Sequence, residues 1–260
     1  MGIFNIFSDP NKKLFEALTV GDFQSMRDAL RNGADPSRPD KYGITALNIA
    51  SMNGYPPEVF EYLIAHSAAI NKKEPTSQLS PLMISAACSP YREVIKILCE
   101  NYAQIEDKDI QGNTPIMWAI SLASFSLRRL LKNHCPVSEI VEELIEWDAD
   151  INAVNKHGSS VFDKIYDLTK DRSPQIDSKE IMKVYDLLCK KGARPSLSMD
   201  SFLLSNFHNP KIDVEFSKAL CTMVVHYRIK SNQITESDLH ILNELAAVPP
   251  VGTTTGNFSS

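Results

Sequence analysis

Nowhere in this 260-residue chain do apolar residues run together for the roughly 18 to 20 positions that a membrane-crossing helix needs. Membrane insertion is therefore not expected. An excess of positive charge is also missing. With 27 Lys and Arg against 32 Asp and Glu the formal net charge is −5, so nothing global draws the chain onto phosphate backbones, and nucleic acid is not an expected partner. The five cysteines, Cys88, Cys99, Cys135, Cys189 and Cys221, form no CxxC pair and no Cys/His ligand spacing. An odd number scattered through apolar segments reads as buried thiols in a reducing compartment, and no metal or cofactor is expected.

Catalytic patterns are equally sparse. Among His66, His134, His157, His208, His226 and His240 no two stand four apart. His134 adjoins Cys135, but a nucleophile and its base normally meet in the fold and not along the chain. GNTPIMW, beginning at Gly112, has one glycine and no phosphate-loop lysine. DADIN and DKDIQ lack the acidic spacing and the closing glutamate of a calcium loop. The start, MGIFNIFSDPNKK, has too short an apolar part for a secretory leader, and Ile6 stands where myristoylation needs Ser or Thr.

What the chain does have is repetition. GITALNIA (43–50), QLSPLMIS (78–85), GNTPIMWA (112–119) and GSSVFDKI (158–165) place a Thr or Ser at 45, 80, 114 and 160, with spacings of 35, 34 and 46. A second pattern, in NGADPS, SAAIN, YAQIE, DADIN and KGARP, places alanines at 34, 68, 103, 149 and 193. From each of the first four alanines to the next Thr or Ser is 11, 12, 11 and 11 residues. Thr45, Ser80, Thr114 and Ser160 are suited to cap helices, Pro81 and Pro115 suit a first helical turn, and Gly33 and Gly192 suit a left-handed helix stop. One helix pair cannot bury its apolar face, but stacked neighbours can. Leu47, Ile49 and Ala50, then Leu82, Ile84 and Ala86, then Ile116, Trp118 and Ala119 are the expected core.

The alternation of a T-P-L-H-like pattern with an L-L-x-x-G-A-D-like one, in DKYGITALNIASMNG, LIAHSAAIN, DIQGNTPIMWAI, LIEWDADIN, NKHGSS and LLCKKGA, resembles the ankyrin repeat over residues 12–195. The resemblance implies an all-α solenoid of helix-turn-helix units with a helical C-terminal cap. Its expected parts are an N-terminal segment (1–11), a capping helix pair (12–38), four repeats (39–195), a helical cap or annex (196–248) and a disordered tail (249–260). Insertions are expected near 124–136 and 169–178. The histidine usual in the T-P-L-H position is replaced by Asn48, Met83, Met117 and Asp163, so the ring that makes the inter-repeat hydrogen bonds is missing.

The resemblance also implies function: a monomer that binds another protein by its concave face and finger tips, with no catalysis of its own. Carried over one residue at a time, the variable positions are Lys41, Tyr42, Ile44, Met52 and Asn53; then Thr76, Ser77, Leu79, Ala87 and Cys88; then Ile110, Gln111, Asn113, Ser121 and Leu122; and finally Lys156, His157 and Ser159. Arg128, Arg129 and Lys132 form a secondary basic patch in the first insertion. The alternative is an enzyme with a cryptic site in the C-terminal annex. A cytoplasmic location is expected. The degenerate repeats, with the acidic TESDLHILNEL ahead of a small-residue tail, also resemble effectors that intracellular bacteria inject, which implies the host cytosol.

Overall fold

A computed structural model describes residues 9–121, 135–170 and 178–193, all within the first of two units, Met1–Arg194. The described residues form ten helices and no strand. Helices α1 (Pro10–Val20) and α2 (Phe23–Arg31) make the first pair. Then come α3 (Ala46–Met52) with α4 (Pro57–Ala65), and α5 (Pro81–Cys88) with α6 (Arg92–Glu100). The last pairs are α7 (Pro115–Ala119) with α8 (Val137–Glu146), and α9 (Val161–Lys170) with α10 (Ser178–Lys190). The five-residue α7 has too few intrahelical bonds to persist alone and exists by packing.

First helices pack on first helices, α1 on α3, α3 on α5, α5 on α7 and α7 on α9, while α4, α6, α8 and α10 pack in sequence as a second layer. Leu14, Leu18, Leu47, Phe60, Leu82, Ile95, Ile116, Ile140 and Phe162 lie between the layers with at most 1% exposure. Full burial of one such side chain contributes about 1.5 to 3 kcal/mol. In the first pair Leu14, Ala17, Leu18, Met26 and Leu30 face inward, while Lys12, Lys13 and Glu16 lie toward solvent.

The alanine pattern acquires a physical reason here. Each second helix ends on a residue at positive φ: Gly33, Ser67, Tyr102, Asp148 and Gly192. That residue's N–H donates three positions back, to Leu30, Ile64, Cys99, Ile145 and Cys189. The alanine after it donates to a carbonyl five positions back: Ala34 to Ala29, Ala68 to Leu63, Ala103 to Leu98, Ala149 to Leu144 and Ala193 to Leu188. This pair of bonds is the Schellman stop, which satisfies the orphan carbonyls of the helix end. The alanines are buried because the stop folds them back on the helix.

The helix starts divide by the type of residue three places beyond the cap. The Thr45 hydroxyl accepts from the Asn48 N–H and the Thr45 N–H donates to Asn48 Oδ1 at 3.1 Å, closing a capping box. Ser160 and Asp163 close the same box, with the Ser160 N–H donating to Asp163 Oδ2 at 2.7 Å. Asn48 and Asp163 thus put a side-chain acceptor where the family histidine is missing. Met83 offers no acceptor, so Ser80 receives only the Met83 N–H, at 3.3 Å. Thr114, opposite Met117, makes no capping bond and its hydroxyl is buried without a partner, contrary to the expectation that all four cap.

Two expected core residues are only half-buried, Ile49 and Trp118. Both stand four places after the capping residue, about 100° round the helix from the inward Ala50 and Ala119. Ile84, in the same register of α5, is 3% exposed. The expected insertions fall largely outside the described residues.

Candidate functional site

Each hairpin finger is organised around one side chain that turns inward onto its own backbone. Asp40 Oδ1 accepts the N–H groups of Tyr42 and Ile44 at 2.8 and 2.9 Å. Asp109 Oδ1 accepts those of Gln111 and Asn113 at 2.8 and 2.7 Å. Asn155 Oδ1 does the same for His157 and Ser159 at 2.9 Å each. In the second finger Glu74 takes this role, with Oε1 accepting from Ser77 and Leu79 and Oε2 from Thr76. That finger has one residue more, which is the 12 among the 11-residue intervals, and the longer glutamate reaches across it. A backbone bond closes each finger: Asp40 to Ile44, Glu74 to Leu79, Asp109 to Asn113 and Asn155 to Ser159.

Neighbouring fingers are also tied together. The Ile110 N–H donates to Ser77 O at 3.0 Å and the Lys156 N–H to Gln111 O at 2.9 Å. Lys156 Nζ reaches Ile110 O, and Asn155 Nδ2 donates to Asn113 Oδ1, at 2.8 and 2.9 Å. The result is a ledge whose main chain is fixed by hydrogen bonds while its tips point outward.

The expected site residues sort by exposure on this ledge. Tyr42, Met52 and Ile110 are 68%, 47% and 56% exposed, and Lys41, Asn53, Gln111 and His157 are exposed as well. Lys41 Nζ sits 4.8 Å from the Tyr42 ring centroid. Ile44 and Leu79 are half-buried. Asn113 is a correction: expected at the surface, it is 4% exposed, because its amide donates to Asp109 and accepts from Asn155. Ala87 is likewise buried, inside α5. Leu122 and the basic patch Arg128, Arg129 and Lys132 lie outside the described residues.

Sequence reasoning missed two features. Val20, Tyr102 and Val154 are strongly exposed apolar groups; for Tyr102 the signal was its place directly before a repeat alanine, where NGAD and KGAR carry glycine. Beside the first finger runs a groove of about 830 Å³ with Phe15, Val20 and Pro39 along it, edged by Lys12, Arg38 and Lys41 and by Asp9, Glu16 and Asp40. Lys12 pairs with Glu16 at 3.7 Å and Arg38 with Asp35 at 3.8 Å.

On the second layer Arg92 of α6 faces Glu142, Glu143 and Glu146 of α8. The hydrogen bond from Arg92 to Glu143 above all holds the guanidinium protonated. Glu143 also accepts the Trp147 indole N–H at 2.9 Å. Burial pushes the Cys99 thiol up to about 12 and the Cys189 thiol up to about 11. Among the described residues no group of three or more His, Cys, Asp or Glu is placed to hold a metal ion, and no helix is long and apolar enough to cross a membrane.

A model of ankyrin repeats in three copies matches residues 14–109, and a single-repeat model matches residues 111–156. Together they take in more than half of the sequence. The chain belongs to the ankyrin-repeat family. Ankyrin repeat and SOCS box protein 6 from Homo sapiens and from Pongo abelii are each 26% identical to it over 174 residues. That match covers 64% of this chain and 39% of each relative, so the chain spans well under two thirds of the length of the curated relatives it matches. The ankyrin fold assigns the described helices to a protein-interaction module.

Proposed function

We propose that this ankyrin array binds a partner protein along the finger ledge and the adjoining first-helix faces, and does no chemistry of its own. One observation carries the reading: Tyr42 and Ile110 stand exposed on a backbone already fixed by the inward Asp40 and Asp109 and by the bond from Ile110 to Ser77. Anchors held on a preorganised frame lose little freedom when a partner arrives. The elevated Cys99 and Cys189 thiols speak against thiolate chemistry at either. The resemblance to injected bacterial effectors concerns whose protein is bound and uses the same ledge.

The test isolates a partner with this chain as bait and measures its affinity for variants. Tyr42→Ala with Ile110→Ala is expected to weaken binding at least about tenfold, which is about 1.4 kcal/mol, with helical circular dichroism unchanged. Arg128→Ala with Arg129→Ala runs in parallel. Loss of binding with the arginine pair and not with the finger pair would move recognition to the insertion.

A further inference from the structure

The charge of the ledge is opposite to that of the chain. Helices α4, α6 and α8 of the second layer carry eight glutamates against Arg92 and Lys96. The first helices α3, α5 and α7 contain no charged residue at all. At the fingers two of the three organising acids are withdrawn, Glu74 and Asp109 being 5% and 6% exposed, and the half-buried Asp40 has one carboxylate oxygen spent, like them, on backbone N–H groups. In the fourth finger the neutral Asn155 takes the same place. Lys41 and Lys156 remain outward, beside Tyr42 and Ile110. A chain of net charge −5 thus presents a cationic, apolar edge.

Resting on the finger-ledge reading above, we propose that the bound element is an acidic segment of a partner protein that carries large apolar side chains. Its carboxylates meet Lys41 and Lys156, and its apolar groups pack on Tyr42, Ile110 and the uncharged first-helix faces. The groove along Phe15, Val20 and Pro39 continues this surface at the first finger, and its volume of about 830 Å³ is in the range of pockets that bury a drug-sized ligand, room for more than one apolar side chain of the segment. A basic segment meets Lys41 and Lys156 unfavourably there and is drawn instead toward the glutamate-rich second layer. Two lysines are too few for a nucleic-acid backbone, whose binding rests on many phosphate contacts. The separation of charge also steers an acidic segment toward the ledge during encounter.

The experiment selects a displayed library of random peptides, about twelve residues long, on the full chain. The selected peptides are then measured by fluorescence anisotropy at low and high salt. Enriched peptides are expected to be net negative and to contain aromatic or large aliphatic residues. Their Kd should rise at least about fivefold with Lys41→Gln plus Lys156→Gln or with added salt, and at least about tenfold with Tyr42→Ala plus Ile110→Ala. Circular dichroism confirms that each variant is folded. Neutral or basic peptides, or no enrichment, overturn the proposal. Peptides that ignore the lysine pair but lose binding with the Tyr42 and Ile110 pair overturn the acidic class and leave the ledge standing. Peptides that ignore both pairs overturn the ledge as well.

Discussion

The Trp118 indole N–H donates to the Asp109 carboxylate across 3.0 Å, binding the first helix of the third repeat to the finger that precedes it. The same carboxylate accepts the N–H groups of Gln111 and Asn113 and the Asn113 amide. One side chain thereby sets the shape of the finger and its angle to the array. Asp109→Ala leaves several buried donors unsatisfied and should cost about 3 kcal/mol or more. Thermal unfolding should then fall by about 6 to 12 °C. Trp118→Phe removes one donor and keeps an aromatic ring, so its shift should be about a third as large. Equal shifts for the two would show that Asp109 acts on the Trp118 contact alone.

Tyr102 holds φ at 67° with its side chain 87% exposed, in the stop position that Gly33 and Gly192 fill at the two ends of the array. A left-handed non-glycine residue costs about 1 to 2 kcal/mol. The gain from relieving it is partly offset by glycine's greater freedom when unfolded. Tyr102→Gly is therefore expected to stabilise the array by about 0.5 to 1 kcal/mol, read from the urea midpoint at unchanged m-value. A lower midpoint would mean that the exposed ring makes a stabilising contact.

Gly112 and Gly158 share nearly the same backbone, with φ 83° and 74°, but not the same neighbourhood. A Cβ at Gly112 would come within 2.9 Å of the Lys156 backbone nitrogen, in the bond between the third and fourth fingers, while a Cβ at Gly158 meets nothing within 4 Å. Gly158→Ala should cost about 1 kcal/mol from the backbone alone. Gly112→Ala should cost distinctly more and should raise hydrogen exchange at the Lys156 amide. Matching losses at the two sites would count against the finger stack.

The start of α2 supplies a pH dependence. The Ser25 hydroxyl, and after it the Ser25 N–H, holds the Asp22 carboxyl below the usual carboxylate range. A depressed folded-state pKa gives stability that is present above the unfolded pKa and lost as pH falls through the folded value. The difference in melting temperature between wild type and Asp22→Ala should therefore narrow as pH drops from neutral to below about 4. Asp22→Asn keeps a capping oxygen, so its difference from Asp22→Ala should stay level over that range. A gap between wild type and Asp22→Ala that is constant with pH would contradict the assignment.

Much of this was legible before any coordinates. The intervals of 11, 12, 11 and 11 residues set the register of fingers and helices, because a helix stop and a helix start each require particular residue types at fixed offsets. The alanines at 34, 68, 103, 149 and 193 and the starts at 45, 80, 114 and 160 are local devices that the chain spells out. The inward set Leu47, Leu82 and Ile116 comes from helical spacing in the same way. Tyr42 and Ile110 at the finger tips needed only the family register.

Other features rest on what neighbouring repeats place against a side chain. Ile49, Ile84 and Trp118 share one register, yet only Ile84 is buried, because cover at that position comes from other helices and fingers. Asn113 reads as a surface tip until the next finger brings Asn155 to within 2.9 Å of it. The acids Glu74 and Asp109 read as solvent charges until the hairpins close on them, and their withdrawal leaves Lys41 and Lys156 to set the sign of the ledge. Sequence by itself determined the repeat, its register and its apolar stripe, since these depend on residues a few positions apart. Tertiary structure decided which polar groups are consumed and which face outward, since that depends on the hairpins closing on Glu74 and Asp109 and on contacts between residues in different repeats, such as Ser77 with Ile110 and Asn113 with Asn155.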